Sequence, residues 1–254
     1  MDQGRHLGLR ALVTGAGSGI GLATALRLAR EGAEVVGCDV DADALSRAQE
    51  MLTASGLSGR MHRCDITDQS QVDALLAVAA GDRGFGILAN VAGILDDFTP
   101  AGEVRDAIWD RVLSVNLTGS MRVSRAVLPL MLRSGGGVIV NVASSAGFTG
   151  GAGGAAYTAS KHGVIGLSRS IAFLYADRGI RCNVVCPGGV DTPMAHSARP
   201  RSELTLARMK LSLARAPAPA APEEIAALIS WLACAEAAHV NGAVVAADGG
   251  WSAG

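Results

Sequence analysis

Short apolar runs alternate along this chain with segments in which apolar residues recur at helical spacing. The runs predict strands at Leu9–Thr14, Glu34–Asp39, Arg60–Cys64, Phe85–Asn90, Gly137–Ala143, Ile180–Cys186 and Ala243–Ala247. The helical spacing predicts helices at Ile20–Arg30, Ala42–Leu52, Gln71–Ala80, Val104–Leu117, Ser120–Leu132, Ala156–Tyr175 and Glu223–Ala233. Regular alternation of strand and helix indicates βαβ units, in which helices cover both faces of a parallel sheet. The pattern therefore predicts an α/β chain built on a doubly wound parallel sheet of about seven strands.

No linker, repeat or change of composition divides the chain, so residues 1–254 are expected to form a single domain. One segment, at about 193–222 and here called the arm, departs from the strand–helix pattern. An excursion of this length is typical of a lid or binding loop, although a solvated surface arm has the same composition. The arm is rich in proline and in cations: Pro200, Pro217, Pro219, Pro222, Arg199, Arg201, Arg208, Lys210 and Arg215 against Glu203.

Composition and charge exclude several classes of protein. Hydrophobic residues make up 49% of the chain and charged residues 18%, which supports a sizeable core and excludes a disordered chain. The net charge of −1 gives no basic field for nucleic acid. No apolar run approaches the ~18 residues of a membrane span, and the first residues lack the apolar stretch of a signal peptide. The five cysteines form no CxxC pair and the histidines show no metal-ligand spacing, so we expect reduced thiols, no metal and a cytoplasmic location.

A glycine-rich segment, Thr14–Gly21, connects the first predicted strand to the first predicted helix. Glycines permit a sharp turn and a close approach of the backbone to a pyrophosphate, and the start of the helix offers free N–H groups. Asp39 ends the second predicted strand 18 residues after Gly21, near the offset of about 20 expected for a carboxylate that binds an adenosine ribose. No cation adjoins these residues in the sequence to neutralise a 2′-phosphate, so NAD is favoured over NADP. Asp39 has an alternative role as a helix cap, for which Asp41 would serve equally well.

Several separated motifs occur in order along the chain: TGAGSGIG at 14–21, CDIT at 64–67, NVAG at 90–93, YTASK at 157–161, PGGVDT at 187–192 and DGGW at 248–251. With them the chain resembles the short-chain dehydrogenase/reductase family over nearly its whole length, and within it the branch of 3-oxoacyl-carrier-protein reductases and secondary alcohol dehydrogenases. The resemblance implies a Rossmann-like fold and reversible hydride transfer between NAD and a secondary alcohol or ketone. Val91 departs from the family's Asn-Asn-Ala-Gly and removes one hydrogen-bonding side chain.

The resemblance also implies a catalytic set of Asn116, Ser144, Tyr157 and Lys161. Tyr157 would exchange a proton with the substrate oxygen, Ser144 would hydrogen-bond that oxygen, and Lys161 would hold the nicotinamide ribose. Tyr157 and Lys161 are i and i+4 on one helix and so share a face. A nearby ammonium and a positive nicotinamide ring both favour the phenolate, so we expect the pKa of Tyr157 to fall by about 3 from its usual value of about 10. Asn116 would hold a water that relays protons from Lys161.

The same resemblance implies contacts with the cofactor from many parts of the chain. Simpler roles remain open for some of these side chains: a strand-end cap for Ser144, a helix cap near Asp68 for Asp65, and a satisfied interhelical amide for Asn116. The implied cofactor-binding residues are Gly15, Ser18, Gly19, Ile20, Gly21, Asp39, Asp65, Ile66, Asn90, Gly93, Tyr157, Lys161, Pro187, Gly188, Val190 and Thr192.

Two alternative functions remain. The basic arm favours an anionic partner, as in an NADP-dependent reductase of 3-oxoacyl-carrier-protein or coenzyme A thioesters, whereas Asp39 favours NAD. A non-catalytic nucleotide sensor would share the fold, although the complete catalytic set favours an enzyme.

The resemblance further implies a homotetramer or homodimer, formed through the long helices at about 104–132 and 156–177. Phe173 and Leu174 fit such an interface or, equally simply, burial in the core. The DGGW tail fits a second interface.

Overall fold

The computed structural model describes residues 4–79, 84–200 and 202–253. Within them the strands are β1 (Arg10–Thr14), β2 (Glu34–Asp39), β3 (Gly59–Arg63), β4 (Ile87–Asn90), β5 (Gly137–Val142), β6 (Ile180–Pro187) and β7 (Val244–Ala247). The α-helices are α1 (Gly19–Arg30), α2 (Ala42–Ala54), α3 (Gln69–Ala79), α4 (Asp106–Leu113), α5 (Ser120–Arg133), α6 (Ala155–Leu174), α7 (Pro193–Ser197), α8 (Glu203–Leu213) and α9 (Pro222–Ala233). Ala80, the predicted end of the third helix, lies outside the described residues.

The described strands form a parallel sheet in the order β3-β2-β1-β4-β5-β6-β7. This confirms the predicted doubly wound α/β fold. The strand order reverses between β1 and β4, because the chain builds outward from β1 to β3 and then returns to the other side of β1. The connections diverge at such a point and leave a crevice beyond the carboxyl ends of the strands, which is where ligands bind in this architecture. Thr14 and Asn90 end the two strands that flank the crevice.

Apolar side chains fill the space on both faces of the sheet. Ala11 and Val13 of β1 pack with α1 and α9 on one face, and Leu12 packs with α5 and α6 on the other. Successive residues of a strand point to opposite faces, so a strand covered on both sides must be apolar throughout. This is why the central strands appear in the sequence as unbroken apolar runs.

The predicted helix at Val104–Leu117 is corrected in both extent and kind. The α-helix α4 covers Asp106–Leu113, and a π-helical turn at Ser114–Gly119 then leads into α5. Within that turn the Asn116 side chain bonds the main chain of Ile94 instead of facing solvent. A π-helical turn inserts one residue into a helix without ending it, so a 3.6-residue apolar pattern does not reveal it.

The arm contains two helices, α7 and α8, that its proline content concealed. The side chains of Thr192 and Ser202 cap them. The two ends of the arm meet, since the Ala220 N–H donates to the Gly189 carbonyl at 2.9 Å and the Asp191 N–H donates to the Ala220 carbonyl at 3.0 Å. The arm is therefore a closed excursion from the carboxyl edge of the sheet. Arg201 lies outside the described residues.

Three further findings concern cysteines, membranes and metals. All five cysteines are free and buried. Across residues 4–79, 84–200 and 202–253, no helix is both long and apolar enough to cross a membrane. The same residues hold no group of three or more His, Cys, Asp or Glu arranged to bind a metal ion.

Candidate active site

Three connected cavities run along the carboxyl edge of the sheet. The glycine cavity, of about 550 Å³, is bordered by the glycine-rich segment and the end of β2. The tyrosine cavity, of about 290 Å³, is lined by Ser144, Tyr157 and Lys161. The arm cavity, of about 1140 Å³, lies between the start of α6 and α8. Gly93 borders the first two cavities and Met209 the last two, so the three adjoin one another along one cleft.

The glycine cavity has the features of an anion site at a helix N-terminus. Ser18 precedes α1 without a side-chain hydrogen bond to it, and Gly19–Gly21 at the start of the helix border the cavity. A side chain at Gly21 would overlap the carbonyl oxygen of Gly15, so only glycine lets the loop fold this closely onto the helix. Unpaired N–H groups at the positive end of a helix attract phosphate. The residues present therefore fit the pyrophosphate of a dinucleotide.

Most of the residues predicted to contact the cofactor border the glycine or the tyrosine cavity. Asn90 borders neither, because its amide donates to Asn141 at 2.8 Å and to Ser124 at 3.0 Å and so joins β4 to β5 and α5. The glycine cavity is bordered by Gly15, Ser18, Gly19, Ile20, Gly21, Asp39, Asp65, Ile66, Gly93 and Thr192. The tyrosine cavity is bordered by Ile20, Gly93, Tyr157, Lys161, Pro187, Gly188, Val190 and Thr192.

Asp39 and Asp41 have separate tasks in the structure. Asp41 caps α2, since its carboxylate accepts from the Ala44 N–H at 3.0 Å. Asp39 accepts from the Gly17 N–H at 3.1 Å and from the Val40 N–H at 2.7 Å, and it borders the glycine cavity. The N-cap of α2 is therefore Asp41 and not Asp39.

Two cations near the glycine cavity were missed by the sequence analysis. Arg63 lies opposite Asp39 in the register of β2 and β3, and its Nε donates to the Val40 carbonyl at 3.3 Å. Arg111, on α4, borders the cavity, as does Ile66. Arg63 is 24 residues from Asp39 in sequence, so only the strand register places a cation at the strand position opposite Asp39.

Ser144 and Tyr157 are buried side by side in the tyrosine cavity. Burial raises the pKa of Tyr157 to about 12, and the hydrogen bond with Ser144 lowers it by less. The chain alone therefore does not lower the pKa of Tyr157 as expected. The loss of phenolate hydration raises this pKa more than the hydrogen bond from Ser144 lowers it. Ser144 also accepts from the Ala146 N–H at 3.1 Å, so its simpler role as a strand-end cap is present as well.

Lys161 is almost fully buried, with 3% of its surface exposed. Its Nζ donates to the Val142 carbonyl at 2.9 Å and lies 5.5 Å from the centre of the Tyr157 ring. Burial lowers the pKa of Lys161 to about 8, since no carboxylate among the described residues pairs with it. The ammonium therefore gives up its proton far more readily than that of an exposed lysine.

Asn116 lies behind the cavity rather than on its surface. Its Oδ1 accepts from the Ile94 N–H at 2.8 Å, and its Nδ2 donates to the Ile94 carbonyl and to the Ser160 hydroxyl, both at 3.0 Å. The Ser160 hydroxyl in turn donates to the Tyr157 carbonyl at 2.7 Å. A side chain at Gly93 would come within 3.3 Å of Asn116 and 3.4 Å of Lys161, so the two groups flank that glycine.

The arm forms the outer wall of the arm cavity. Met209 and Arg208 of α8 border this cavity, together with Phe98 from the loop after β4 and Trp251 from the DGGW tail. The Trp251 Nε1 donates to the Ser212 carbonyl at 3.2 Å, so the tail packs against the arm of its own chain. The contacts join the arm to the tail, while no residue of α8 is buried.

Comparison with known proteins places the chain among dehydrogenases. A family model described as short chain dehydrogenase matches residues 10–203. A 3beta-hydroxysteroid dehydrogenase 2 of Eggerthella lenta is 38% identical, with 100% of each chain covered. A cis-4-hydroxycyclohexanecarboxylate dehydrogenase of Sinomonas cyclohexanicum is 42% identical over 96% of each chain. The solved structure of a variant actinorhodin polyketide ketoreductase with NADPH is 35% identical, with a TM-score of 0.87, over 96% of this chain and 97% of that one.

Proposed function

Since the chain belongs to the short-chain dehydrogenase family, and is thus an oxidoreductase of hydroxyl and keto groups, we propose that it transfers hydride between NAD and a cyclic secondary alcohol or the corresponding ketone. The observation that carries the proposal is the meeting of Ser144, Tyr157 and Lys161 in one cavity that opens into the glycine cavity. Family membership also disfavours the non-catalytic sensor.

The positions of the three side chains support the following roles. The Tyr157 phenol exchanges a proton with the substrate oxygen, and the Ser144 hydroxyl hydrogen-bonds the same oxygen. When bound, NAD supplies the hydride acceptor and a positive charge that favours the phenolate. Lys161, beside the phenol ring, adds a second positive charge whenever it is protonated. Asn116 acts from behind, by holding Ser160 and the loop at Ile94.

The preference for NAD rests on Asp39. A carboxylate that borders the glycine cavity accepts hydrogen bonds from ribose hydroxyls and repels a 2′-phosphate. Arg63, beside the Val40 carbonyl, is the observation that favours the second candidate, an NADP-dependent reductase of 3-oxoacyl-carrier-protein or coenzyme A thioesters. Asp39 ranks first because its carboxylate borders the cavity, whereas Arg63 is exposed and outside it.

The cyclic substrate rests on the relatives and on the arm cavity. The two curated relatives are named for a hydroxysteroid and for a hydroxycyclohexane carboxylate, both secondary alcohols on a saturated ring. The arm cavity adjoins the tyrosine cavity, and it is bordered by Phe98, Met209 and Trp251 and by the small residues at 150–154. A lining of large apolar side chains and small residues suits a bulky apolar body.

The first experiment is a titration of the purified protein with NADH and with NADPH, followed by nicotinamide fluorescence. We expect the Kd for NADH to be at least about 10-fold lower, because Asp39 repels the 2′-phosphate. Asp39→Asn should narrow this gap, whereas Asp41→Asn, which changes only the cap of α2, should leave it unchanged. A preference for NADPH that Asp39→Asn does not alter would contradict the proposal and place the 3-oxoacyl reductase first.

We also propose that the chain forms a homo-oligomer and that it is located in the cytoplasm. Phe173 and Leu174 are 83% and 62% exposed, so the alternative in which they belong to the core is wrong. Exposed apolar side chains on α6 support a homotetramer or homodimer. Free, buried cysteines support the cytoplasm, where thiols stay reduced.

A further inference from the structure

Asp96, in the loop after β4, directs its carboxylate at the start of the helix that carries Tyr157. Only 3% of its surface is exposed. One oxygen accepts from the Gly154 N–H at 3.1 Å and from the Phe98 N–H at 3.1 Å. The other accepts from the Tyr157 N–H at 2.9 Å. The carboxylate thus bonds the main chain of the catalytic tyrosine itself.

The first turn of α6 depends on this carboxylate for its hydrogen bonds. The first N–H groups of a helix have no partner within it, and a side chain at the N-cap usually supplies one. The N-cap of α6 is Gly154, which has no side chain. Asp96 takes over that task from 58 residues away, and its negative charge also suits the positive end of the helix.

Gly154 and Asp96 fit each other sterically. A Cβ at Gly154 would lie 2.5 Å from both carboxylate oxygens of Asp96, although its own φ of −78° suits any residue. The same Cβ would also overlap the Thr99 main-chain nitrogen, so glycine is required there for the close approach of Asp96 and of the Thr99 main chain, and not for its own φ.

The loop that contains Asp96 has an unfavourable backbone conformation, and hydrogen bonds to α6 and to the arm hold it in place. Asp97 and Phe98 have φ of 50° and 57°, a left-handed conformation that side chains other than glycine rarely adopt. The loop is also tied to the arm, since the Thr205 hydroxyl donates to the Phe98 carbonyl at 2.8 Å and the Arg199 N–H donates to Asp97 at 3.0 Å. Such strain persists only where the surrounding structure fixes it.

We propose that Asp96 is a positioning residue of the reaction, which fixes the first turn of α6 and with it the orientation of the Tyr157 phenol in the cleft. The proposal rests on the proposed role of Tyr157 as acid and base. The titratable groups that face the phenol are Lys161 on its own helix, Cys186 on β6 and Asp96. Burial contributes most to the raised pKa of Tyr157, and the charge of Asp96 raises it further.

The test compares Asp96→Asn with the wild type. In asparagine an NH2 group, which cannot accept, replaces one of the two carboxylate oxygens, so either the Tyr157 N–H or the Gly154 and Phe98 N–H groups lose their acceptor. We expect kcat to fall by about 10-fold or more with the Kd for NADH within twofold, since the glycine cavity is untouched. In alcohol oxidation the rising limb of the pH profile should move to lower pH, because a negative charge near the phenol is lost.

The matched control is Asp68→Asn, which weakens the hydrogen bonds to Ser70 and Gln71 near the start of α3 and borders none of the three cavities. It should change neither kcat nor the pH profile. The assays use NAD with cyclohexanol and with cis-4-hydroxycyclohexanecarboxylate.

A second measurement does not depend on turnover. The chain has two tyrosines, so in a Tyr175→Phe background the ultraviolet absorbance of phenolate follows Tyr157 alone. The phenolate should appear at lower pH when Asp96→Asn is added. If that variant fails to fold, Asp96→Glu keeps the charge but moves both acceptor oxygens by one methylene, and it should also lower kcat.

The outcomes separate two failures. An unchanged kcat and an unchanged titration of Tyr157 in Asp96→Asn would overturn the positioning role, as would a loss of thermal stability alone. Turnover that survives Tyr157→Phe would instead overturn the proposed function, whatever Asp96→Asn does.

Discussion

Two clusters of buried polar side chains lie at opposite edges of the sheet, and they differ in whether their charges are paired. The amino-edge cluster joins His6, Arg27, Glu31 and Ser230. Arg27 donates to the fully buried Glu31 carboxylate at 2.5 Å, and Ser230 donates to its other oxygen. The His6 Nε2 lies 2.9 Å from the Ser230 hydroxyl. This cluster borders none of the three cavities of the cleft.

The carboxyl-edge cluster of Ser144, Tyr157 and Lys161 differs in that its cation has no carboxylate partner among the described residues. Lys161 faces a carbonyl and a phenol instead. Burial raises the pKa of Tyr157 and lowers the pKa of Lys161. A buried charge without a counter-ion costs stability, so a fold retains one where the charge has a task. The comparison indicates that the cluster whose charges form an ion pair stabilises the fold, and that the cluster with a buried cation and no counter-ion is the reactive one.

The largest expected effect is on turnover, at the unpaired cluster. Tyr157→Phe should reduce kcat by about 10²- to 10⁴-fold, because the group that exchanges the proton is removed. The Kd for NADH should stay within twofold. Steady-state kinetics and a fluorescence titration measure both, with Tyr175→Phe as the matched control. Retention of full turnover would show that the unpaired cluster is not the reactive one.

At the paired cluster the expected effect is on stability alone. Glu31→Gln leaves Arg27 without its anionic partner and should lower the free energy of unfolding by about 3 kcal/mol, as for other broken buried pairs. Urea unfolding measures the loss. Glu236→Gln, which removes the exposed partner of Arg5, should cost less than about 1 kcal/mol. A lowered kcat in folded Glu31→Gln protein would refute the inference that the amino-edge cluster contributes to stability alone.

The cost of the unpaired Lys161 should itself depend on pH. Its pKa is about 8 in the fold against about 10.5 unfolded, so between these values the unfolded chain binds more protons and stability rises with pH. From pH 8 to 10 the wild type should gain about 2 kcal/mol relative to Lys161→Met. Urea unfolding at a series of pH values measures the difference. Lys210→Met, at an exposed lysine of α8, should give a flat difference, and a flat difference for Lys161→Met as well would refute the burial cost.

The parts of the molecule that could be predicted from sequence depend on short-range patterns. The strands of the central sheet are buried on both faces, so their apolar runs were unmistakable. Tyr157 and Lys161 share a helix face, and the glycine segment joins a strand to a helix, so each motif carries its own geometry. The reversal of strand order then brings these motifs to one crevice.

The parts that could not be predicted are contacts between distant segments. Asp96 is 61 residues from Tyr157, and Ser230 is 224 residues from His6. Arg63 becomes a neighbour of Asp39 only through the register of β2 and β3. The π-helical turn occurs where Asn116 bonds Ile94, and no helical pattern contains that contact. Knowing the order and the register of the strands is enough to find Arg63, but not the other contacts.

The smallest expected effect concerns His6 in the paired cluster. Burial lowers the pKa of His6, and the opposing pull of Glu31 is weaker. Below pH 6.5 the unfolded chain therefore binds a proton that the fold does not, so stability falls with falling pH, by no more than about 1.4 kcal/mol per pH unit. Thermal unfolding between pH 5 and 7 should show a steeper slope in the wild type than in His6→Gln, which keeps the contribution of His62, whose pKa burial also lowers, while His239→Gln, at an exposed histidine, should keep the full slope. The opposite sign, with His6 stabilising the fold in acid, would mean that the Glu31 charge outweighs burial, and that His6 and Glu31 form an ion pair within the cluster instead of a contact with a neutral imidazole.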